Sequence, residues 1–167
     1  TVADKVLAPL AGRPVLQYSV RAFLRSGTVD FFVFVVRDTA QYEKISFLLK
    51  RLGVPEKNTA FVQGGTERQD SVLHGLQATP ASIKSVFIHD CARPLVTPAS
   101  LRALAAAVKK DGAAVLAHRV TDTIKQAPPP TGKNLSRLKL RYLNRDTLWA
   151  METHQAFARD LILRAYV

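Results

Sequence analysis

The fold class is indicated by one stretch of the chain, Ser85-Val86-Phe87-Ile88-His89-Asp90-Cys91-Ala92-Arg93-Pro94. Its first five residues have the length and apolar composition of a buried strand in a parallel sheet. In open α/β folds, ligands bind beyond the carboxyl ends of such strands. Asp90 and Arg93 therefore fall where a substrate would be held, since a carboxylate can bind hydroxyls or a metal and a guanidinium can bind phosphate. The alternative is that Asp90 forms a turn and pairs with Arg93.

Strand-like and helix-like segments alternate on both sides of this stretch. Apolar spacing, caps and terminating glycines predict helices at residues 14–25, 39–52, 66–76 and 97–110. Thr39 and Thr97 are predicted caps, and Thr66 with Gln69 forms a capping-box pattern. Short apolar runs predict strands at residues 31–36, 60–62, 85–89 and 113–117. The alternation predicts a three-layer, Rossmann-like α/β fold with a mostly parallel sheet.

The pattern changes after Val120. The prolines at 128–130 predict a turn or loop, and alternating apolar residues at 138–142 predict an exposed antiparallel strand that pairs with residues 120–125. A two-stranded arm is barely stable alone in water. We therefore predict that residues 120–153 form an arm that reaches a second copy, within a single domain of residues 1–167. The alternative is a simple β-extension of that same domain.

Net charge and composition limit the kinds of molecule that this chain is expected to bind. The formal net charge of +11 fits nucleic acid, an anionic surface or a small anionic substrate. The sequence has no zinc-finger spacing, recognition-helix pattern or aromatic RNA-binding motif, so specific nucleic-acid binding is not expected. No apolar run approaches the ~18 residues that span a bilayer, so a membrane partner is not expected either. The one cysteine, Cys91, is typical of a reducing compartment and is by default a buried structural thiol.

Six short motifs follow one another along the chain. They are Lys5-x-x-x-x-Leu10-x-Gly12-x-Pro14, Gly64-Gly65-Thr66-Glu67-Arg68-Gln69-Asp70-Ser71-Val72, His89-Asp90-Cys91-Ala92-Arg93-Pro94, Val120-Thr121-Asp122-Thr123-Ile124-Lys125, Arg145-x-x-Leu148-Trp149 and Thr153-His154-Gln155-Ala156-Phe157. In this order they resemble the 2-C-methyl-D-erythritol 4-phosphate cytidylyltransferases of the non-mevalonate isoprenoid pathway. The resemblance implies a nucleotidyltransferase fold and a homodimer. It also implies a reaction that joins methylerythritol phosphate to CTP, giving CDP-methylerythritol and pyrophosphate, with Mg²⁺ held mainly by the CTP phosphates.

The resemblance implies roles for individual residues. The cations expected to stabilise the five-coordinate phosphorus are Lys5 and Arg145. The residues expected to hold methylerythritol phosphate are Asp90, Arg93, Thr123 and Thr153, with Thr123 and Arg145 coming from the neighbouring subunit. The positions expected to bind CTP are Gly65, Thr66, Ser71 and Cys91. No residue is expected to bind a metal directly. Taken singly, the two cations would be surface residues, and the two substrate-binding threonines would be strand or capping residues.

The chain also departs from the family pattern. Thr66 stands where an acidic residue is common, and His154 stands where proline is usual. The family's first strand and glycine-rich loop, which precede the position of Lys5, and a segment beyond Tyr166 are not among these 167 residues. We therefore expect a longer parent chain, with apolar surface exposed in these residues alone and no turnover of CTP by them.

Two alternatives to this function stay open. One is a cytidylyltransferase for another alditol phosphate, such as ribitol 5-phosphate. The other is a non-catalytic relative that binds nucleotides or nucleic acid. The resemblance places the protein in the bacterial cytoplasm, with a plastid as the alternative location.

Overall fold

Helices and strands alternate along the chain in the computed structural model, which describes residues 4–129 and 139–166. The helices are α1 (Val15–Ser26), α2 (Thr39–Arg51), α3 (Arg68–Gln77), α4 (Pro98–Asp111) and α5 (Arg159–Ala165). The strands are β1 (Pro9–Leu10), β2 (Arg13–Pro14), β3 (Phe32–Val36), β4 (Thr59–Gln63), β5 (Ser85–Ile88), β6 (Ala113–Arg119), β7 (Lys125–Gln126), β8 (Arg141–Tyr142) and β9 (Trp149–Ala158). The α/β class predicted from the sequence is confirmed, and the bounds of most elements differ from the predicted ones by a few residues.

Local hydrogen bonds set the helix ends. The Thr97 hydroxyl accepts from the backbone N–H of Ser100 at 3.1 Å, which confirms the predicted cap of α4. Gly112 ends α4 with φ of 78°, a left-handed conformation that glycine adopts without a side-chain clash. The cap predicted for α2 was wrong by one residue. Asp38 is the cap, because its Oδ1 accepts from the Gln41 N–H at 2.8 Å.

The start of α3 also differs from the prediction. The predicted capping pair was Thr66 with Gln69. In the structure, the N–H of Glu67 donates to Asp70 Oδ2 at 3.0 Å, so the pair is shifted by one residue. Both pairs have the same spacing, and a carboxylate is the stronger acceptor for an exposed helix N-terminus.

The strands form short ladders, some parallel and some antiparallel. Strand β3 pairs in parallel with β4, from Phe32 opposite Thr59 to Val36 opposite Gln63. Strand β5 pairs antiparallel with β9 in a sheet of order β5-β9-β6. The pairs β1–β2 and β7–β8 are antiparallel. A mostly parallel sheet is therefore not confirmed by the described pairings. The pairing of β7 with β8 lies within the predicted arm, and Leu138, where its second strand was predicted to begin, is outside the described residues.

Buried side chains form clusters that join helices to strands. One cluster packs α1 and α2 on β3, and includes the buried residues Leu16, Val20, Phe34, Val36, Ile45, Leu48, Leu49 and Val54. A second cluster joins α1 to α4 through Phe23 and Leu101. A third joins α3, β5 and α5 through Leu76, Val86 and Ile162. Burial of this apolar surface is the main force that fixes the ends of β5 and α1.

The chain divides into two compact units. The first contains the residues up to Val115 and those from Thr153 onward, and the second contains Leu116–Glu152. Strands β6 and β9 are the elements along which the chain passes between them. Within the described part of the chain, no helix has both the length and the apolar character that crossing a membrane requires.

Candidate active site at the end of strand β5

The turn after β5 brings a carboxylate between two guanidinium groups. Arg68, the first residue of α3, donates from Nη2 to Asp90 Oδ1 at 3.0 Å. Arg93 Nε lies 3.9 Å from the other carboxylate oxygen, and the N–H of Arg93 donates to the Asp90 carbonyl at 2.9 Å. All three side chains are partly exposed, so these ion pairs are weak and can be exchanged for contacts with a ligand. The turn and the pairing of Asp90 with Arg93 agree with the alternative reading, and substrate binding by these residues stays a prediction.

The pairing of β5 with β9 places Thr153 beside this turn. The ladder runs from Ser85 opposite Ala158 to Ile88 opposite Gln155. Two residues further along the same register, Thr153 falls opposite Asp90. Thr153 Oγ1 is buried and makes no hydrogen bond within the described residues, so it is available to a ligand at this strand end. The structure thus brings together three of the predicted substrate-binding residues, Asp90, Arg93 and Thr153.

A glycine turn leads into α3. The N–H of Gly65 donates to Ser71 Oγ at 3.0 Å. A Cβ added to Gly65 would overlap the Cβ of Asp70, so only glycine fits here without a shift of the backbone. Ser71 therefore closes the turn by accepting a hydrogen bond from backbone, and its hydroxyl proton remains for a ligand. Thr66, the third predicted nucleotide-binding residue of this stretch, is exposed at the tip of the turn.

A cavity of about 430 Å³ connects the two turns. Its polar lining includes Arg68 and Ser71 from α3 and His89 and Asp90 from the end of β5. The rest of its wall is largely apolar and includes residues of β3 and β5. The volume lies within the range of roughly 300–1,000 Å³ that is usual for small-molecule sites.

Cys91 lies in the same turn but is not activated. Burial, together with the neighbouring Asp90 carboxylate, raises the pKa of its thiol to about 11. The thiol is therefore protonated at neutral pH and is a poor nucleophile. It packs against the cluster of α1, α2 and β3. These contacts agree with the structural role expected by default, and the predicted contact of Cys91 with CTP stays a prediction.

Lys5 is exposed in the turn before β1. Its neighbour Asp4 fixes this turn to α2, because Gln41 Nε2 donates to Asp4 Oδ2 at 2.9 Å and Arg37 Nη2 lies 3.7 Å from the same oxygen. The Lys5 side chain makes no hydrogen bond or ion pair with the described residues, which leaves its ammonium group available to an anion. Its role at the phosphorus stays a prediction.

Arg145 and Thr123 belong to the 116–152 unit. Arg145 begins a short 3-10 turn of residues 145–147, and its Nη1 donates to the Thr121 carbonyl at 3.0 Å. This bond ties Arg145 to the segment that carries Thr123. Both side chains are exposed. The prediction that they complete the site of a neighbouring subunit is not tested by a single chain.

Within residues 4–129 and 139–166, no group of three or more His, Cys, Asp or Glu side chains could hold a metal ion. Asp90 is the carboxylate at the end of β5, and two arginines already face it. Mg²⁺ would therefore be held mainly by substrate phosphates, as it commonly is.

Sequence reasoning missed several residues of this site. Arg68 is part of the motif at residues 64–72, but its pairing with Asp90 depends on how α3 packs beside β5. Ser19, on α1, was given no role, although its Oγ lies 2.9 Å from His89 Nε2. His154 was noted only as a departure from the family, and its ring lies 4.9 Å from that of His89. In each case the partner is distant in the sequence, so no local pattern reveals it.

The sequence model of one family, IspD: 2-C-methyl-D-erythritol 4-phosphate cytidylyltransferase, matches residues 1–167. This match covers the whole sequence. The chain belongs to the 2-C-methyl-D-erythritol 4-phosphate cytidylyltransferase family. Among proteins of that name, the one from Pelotomaculum thermopropionicum is 39% identical over 99% of this chain. The one from Symbiobacterium thermophilum is 37% identical over 97% of this chain.

Solved structures of cytidylyltransferases carry the same fold. The 4-diphosphocytidyl-2C-methyl-D-erythritol synthase from Anaerococcus prevotii superposes with a TM-score of 0.81 at 25% identity, over 96% of this chain and 69% of that one. The 2-C-methyl-D-erythritol 4-phosphate cytidylyltransferase from Thermus thermophilus gives a TM-score of 0.72 at 26% identity, over 97% and 69%. The predicted nucleotidyltransferase fold is confirmed.

The chain spans about two thirds of the length of these cytidylyltransferases, 67% of the Pelotomaculum protein and 64% of the Symbiobacterium protein. It matches 38% of a bifunctional IspD/IspF enzyme from Desulforudis audaxviator, with 39% identity. The family is therefore established over nearly the whole chain, while the relatives contain further residues.

Proposed function

We propose that the protein containing this chain is a Mg²⁺-dependent cytidylyltransferase that joins 2-C-methyl-D-erythritol 4-phosphate to CTP. The products are CDP-methylerythritol and pyrophosphate. The observation that carries the proposal is the placement of Asp90, Arg93 and Thr153 at one strand end of a family member, beside the Gly65–Ser71 turn. The charged and hydroxyl side chains at this strand end suit an anionic substrate that also carries hydroxyl groups.

The reaction is a transfer of a cytidylyl group. The phosphate oxygen of methylerythritol phosphate attacks the α-phosphorus of CTP, the bond between the α-phosphorus and the bridging oxygen breaks, and pyrophosphate leaves. Such a reaction is accelerated by positioning and by positive charge more than by a protein nucleophile. When held by the CTP phosphates, Mg²⁺ would neutralise part of the triphosphate charge.

The protein's own groups divide this work. Asp90 can accept hydrogen bonds from alditol hydroxyls, and Arg93 can pair with the substrate phosphate. Lys5 and Arg145 supply the positive charge for the crowded phosphorus. Gly65 and Ser71 hold the cytidine half of CTP, where backbone can approach closely and the hydroxyl can donate.

We also propose that residues 116–152 act on the site of a second copy. Leu140, Tyr142, Trp149 and Met151 are large apolar side chains in this unit that are at least half exposed. None of its described residues is buried. A two-fold dimer would cover such a surface twice.

The reaction is tested by pyrophosphate release from the full-length protein with CTP, Mg²⁺ and methylerythritol phosphate, with ribitol 5-phosphate in parallel. We expect release with the first alditol phosphate and little with the second. Asp90→Asn should lower kcat/KM for methylerythritol phosphate by roughly 10²-fold, as loss of a charged hydrogen-bond partner does. Asp111→Asn, at the exposed end of α4, is the matched control and should change it less than about 2-fold. Faster turnover of ribitol 5-phosphate would refute the proposed substrate.

Shared sites are tested by mixing. A subunit with Arg145→Ala and one with Asp90→Asn should each be nearly inactive as homodimers. In a mixed dimer, one of the two sites would have both residues intact, so random mixing should restore about a quarter of wild-type activity. A mixture that forms heterodimers and stays inactive would refute the shared site and leave the reaction itself untouched.

A further inference from the structure

We propose that Ser19 and His89 form a buried anchor that positions the substrate-binding turn of Asp90 and Arg93 against helix α1. They are positioning residues, because both act on substrate through Asp90 and Arg93. The kinetic effect of the anchor rests on the proposed function, whereas its effect on the conformation of the turn does not.

The anchor is a chain of two polar contacts. His89 Nε2 lies 2.9 Å from Ser19 Oγ, and Ser19 Oγ donates to the Arg93 carbonyl at a longer 3.4 Å. We assign the Nε2–H tautomer to His89, in which Nε2 donates to Ser19 Oγ and the serine proton is directed to the Arg93 carbonyl. One serine thus contacts both sides of the turn, His89 before Asp90 and Arg93 after it.

Helix α1 is a rigid base for this anchor. Ser19 is 1% exposed and lies on the buried face of α1 with Leu16 and Val20. A serine inside a helix often donates to a carbonyl one turn back in its own helix. Ser19 instead donates to a residue 74 positions away in the sequence. A buried hydroxyl with this long-range bond ties the turn to the core.

The His89 ring is confined on two sides. It contacts Phe23 of α1 edge-on, with ring centroids 5.4 Å apart, and the His154 ring of β9 at 4.9 Å. Burial, with smaller contributions from the nearby His154 and Arg93, lowers the pKa of His89 to about 4 against the opposing effect of Asp90. The imidazole is therefore neutral at neutral pH and can keep a fixed Nε2–H donor. Because His89 is neutral, the charges at the turn are those of Asp90, Arg68 and Arg93.

The anchor acts on the geometry that binds substrate. The Arg93 N–H donates to the Asp90 carbonyl at 2.9 Å, so displacement of the Arg93 carbonyl would move both side chains. The ion pairs of Asp90 are exposed and too weak to hold the turn alone. Loss of the anchor should therefore weaken substrate binding while the phosphoryl chemistry continues.

The chain offers a matched pair of variants for the test. Ser19→Ala removes the anchor hydroxyl, and Ser26→Ala removes another buried serine hydroxyl of the same helix. Ser26 Oγ donates to the Phe23 carbonyl at 2.6 Å and accepts from the Thr28 N–H at 3.2 Å, and none of its hydrogen bonds reaches the turn. Both variants lose buried hydrogen bonds, and urea unfolding of the full-length protein would identify a variant that fails to fold.

In the kinetic arm, Ser19→Ala should raise KM for methylerythritol phosphate about 5–10-fold, with kcat and KM for CTP changed less than about 2-fold. Ser26→Ala should leave all three within about 2-fold. In an Arg93→Ala background, Ser19→Ala should raise KM by a smaller factor than in the wild type, because one of the two side chains that it positions is gone. If both serine variants give the same KM, the kinetic part of the proposal is overturned.

A second arm does not depend on turnover. Cys91 lies inside the turn, so its alkylation by iodoacetamide, followed by mass spectrometry of its peptide, reports local opening. Ser19→Ala should speed alkylation about 5–10-fold relative to wild type, and Ser26→Ala should not. Equal rates in the two variants would overturn the anchor. A wild-type protein that releases no pyrophosphate would refute the proposed function, and the alkylation rates would still decide the anchor.

Discussion

The turn after β5 and the 116–152 unit both carry predicted functional side chains, but they hold them differently. In the turn, the residues before and after Asp90 are tied to the buried Ser19 hydroxyl. In the 116–152 unit, Arg145 is held by one exposed hydrogen bond to the Thr121 carbonyl. Two cation–π contacts, Arg119 over Trp149 and Lys125 over Tyr142, are also on the surface. The first region is organised by its own core, whereas the second has no buried residue among those described.

This difference shows which part of the site one chain can complete. A binding turn needs buried contacts to hold its geometry within a fraction of an ångström. The described residues of the 116–152 unit lack such contacts in a single chain and expose large apolar groups instead, such as Met151 at 64%. A second surface would supply the missing burial, which is the reason for proposing a shared site.

The largest expected effect tests the less-organised region. Arg145→Ala should lower kcat of the full-length enzyme by roughly 10²–10³-fold, the usual loss when one transition-state charge donor is removed. Steady-state pyrophosphate release measures it. Arg141→Ala, an exposed arginine of β8 in the same unit, is the control and should cost less than about 2-fold. Equal losses would mean that the unit contributes general positive charge and not a placed cation.

A pair of leucines compares the two regions in stability. Leu101 is 0% exposed, whereas Leu140 is 50% exposed. Leu101→Ala should lower the free energy of unfolding by about 2–5 kcal/mol, because it leaves a cavity in the core. Leu140→Ala should change it by less than about 0.5 kcal/mol in the monomer.

Urea unfolding under dissociating conditions measures the change in the free energy of unfolding for both leucine variants. Sedimentation equilibrium measures self-association. Leu140→Ala should weaken self-association if the 116–152 unit contacts a second copy. A monomeric wild type at working concentration would contradict this expectation.

Acid should loosen the anchored turn. The pKa of His89 is lowered to about 4 in the fold, chiefly by burial, from 6.5 in the unfolded chain. Between these values the unfolded chain binds more protons, so the stability from neutral His89 is present above pH 6.5 and is lost as the pH falls toward 4. The loss should be on the order of 3 kcal/mol at most. Urea unfolding at several pH values gives the free energy of unfolding as a function of pH. Between pH 4 and 6.5 this free energy should change less steeply with pH in His89→Gln than in the wild type. The same pH dependence in both proteins would contradict the assignment.

The smallest expected effect concerns the surface contacts of the 116–152 unit. Lys125 Nζ lies 4.8 Å from the centre of the Tyr142 ring, across the β7–β8 pair. Lys125→Met keeps most of the stem and removes the charge, so amide exchange of Gln126 and Arg141 should speed up about 2–5-fold. Lys139→Met, which removes an exposed lysine without a described ring contact, should leave both rates unchanged.

Much of the local structure could be predicted from the sequence. The Thr97 cap and the glycine at 112 were identified correctly because each acts through bonds to residues a few positions away. The strand at 85–88 was recognisable from its apolar run. The caps at Asp38 and Glu67 were missed by one residue, since several adjacent polar residues can cap a helix and only the settled backbone selects one.

What the sequence by itself determined is therefore the α/β class, the family and the residues that carry charge at the strand end. Tertiary structure decided which of those residues meet. The antiparallel pairing of β5 with β9 brings Thr153 opposite Asp90, and the packing of α1 and α3 brings Ser19 to Arg93 and Arg68 to Asp90. Periodicity and caps are properties of neighbouring residues, so a sequence displays them directly. The partner of a strand or of a buried hydroxyl is chosen by burial across tens of residues, and no local pattern records that choice.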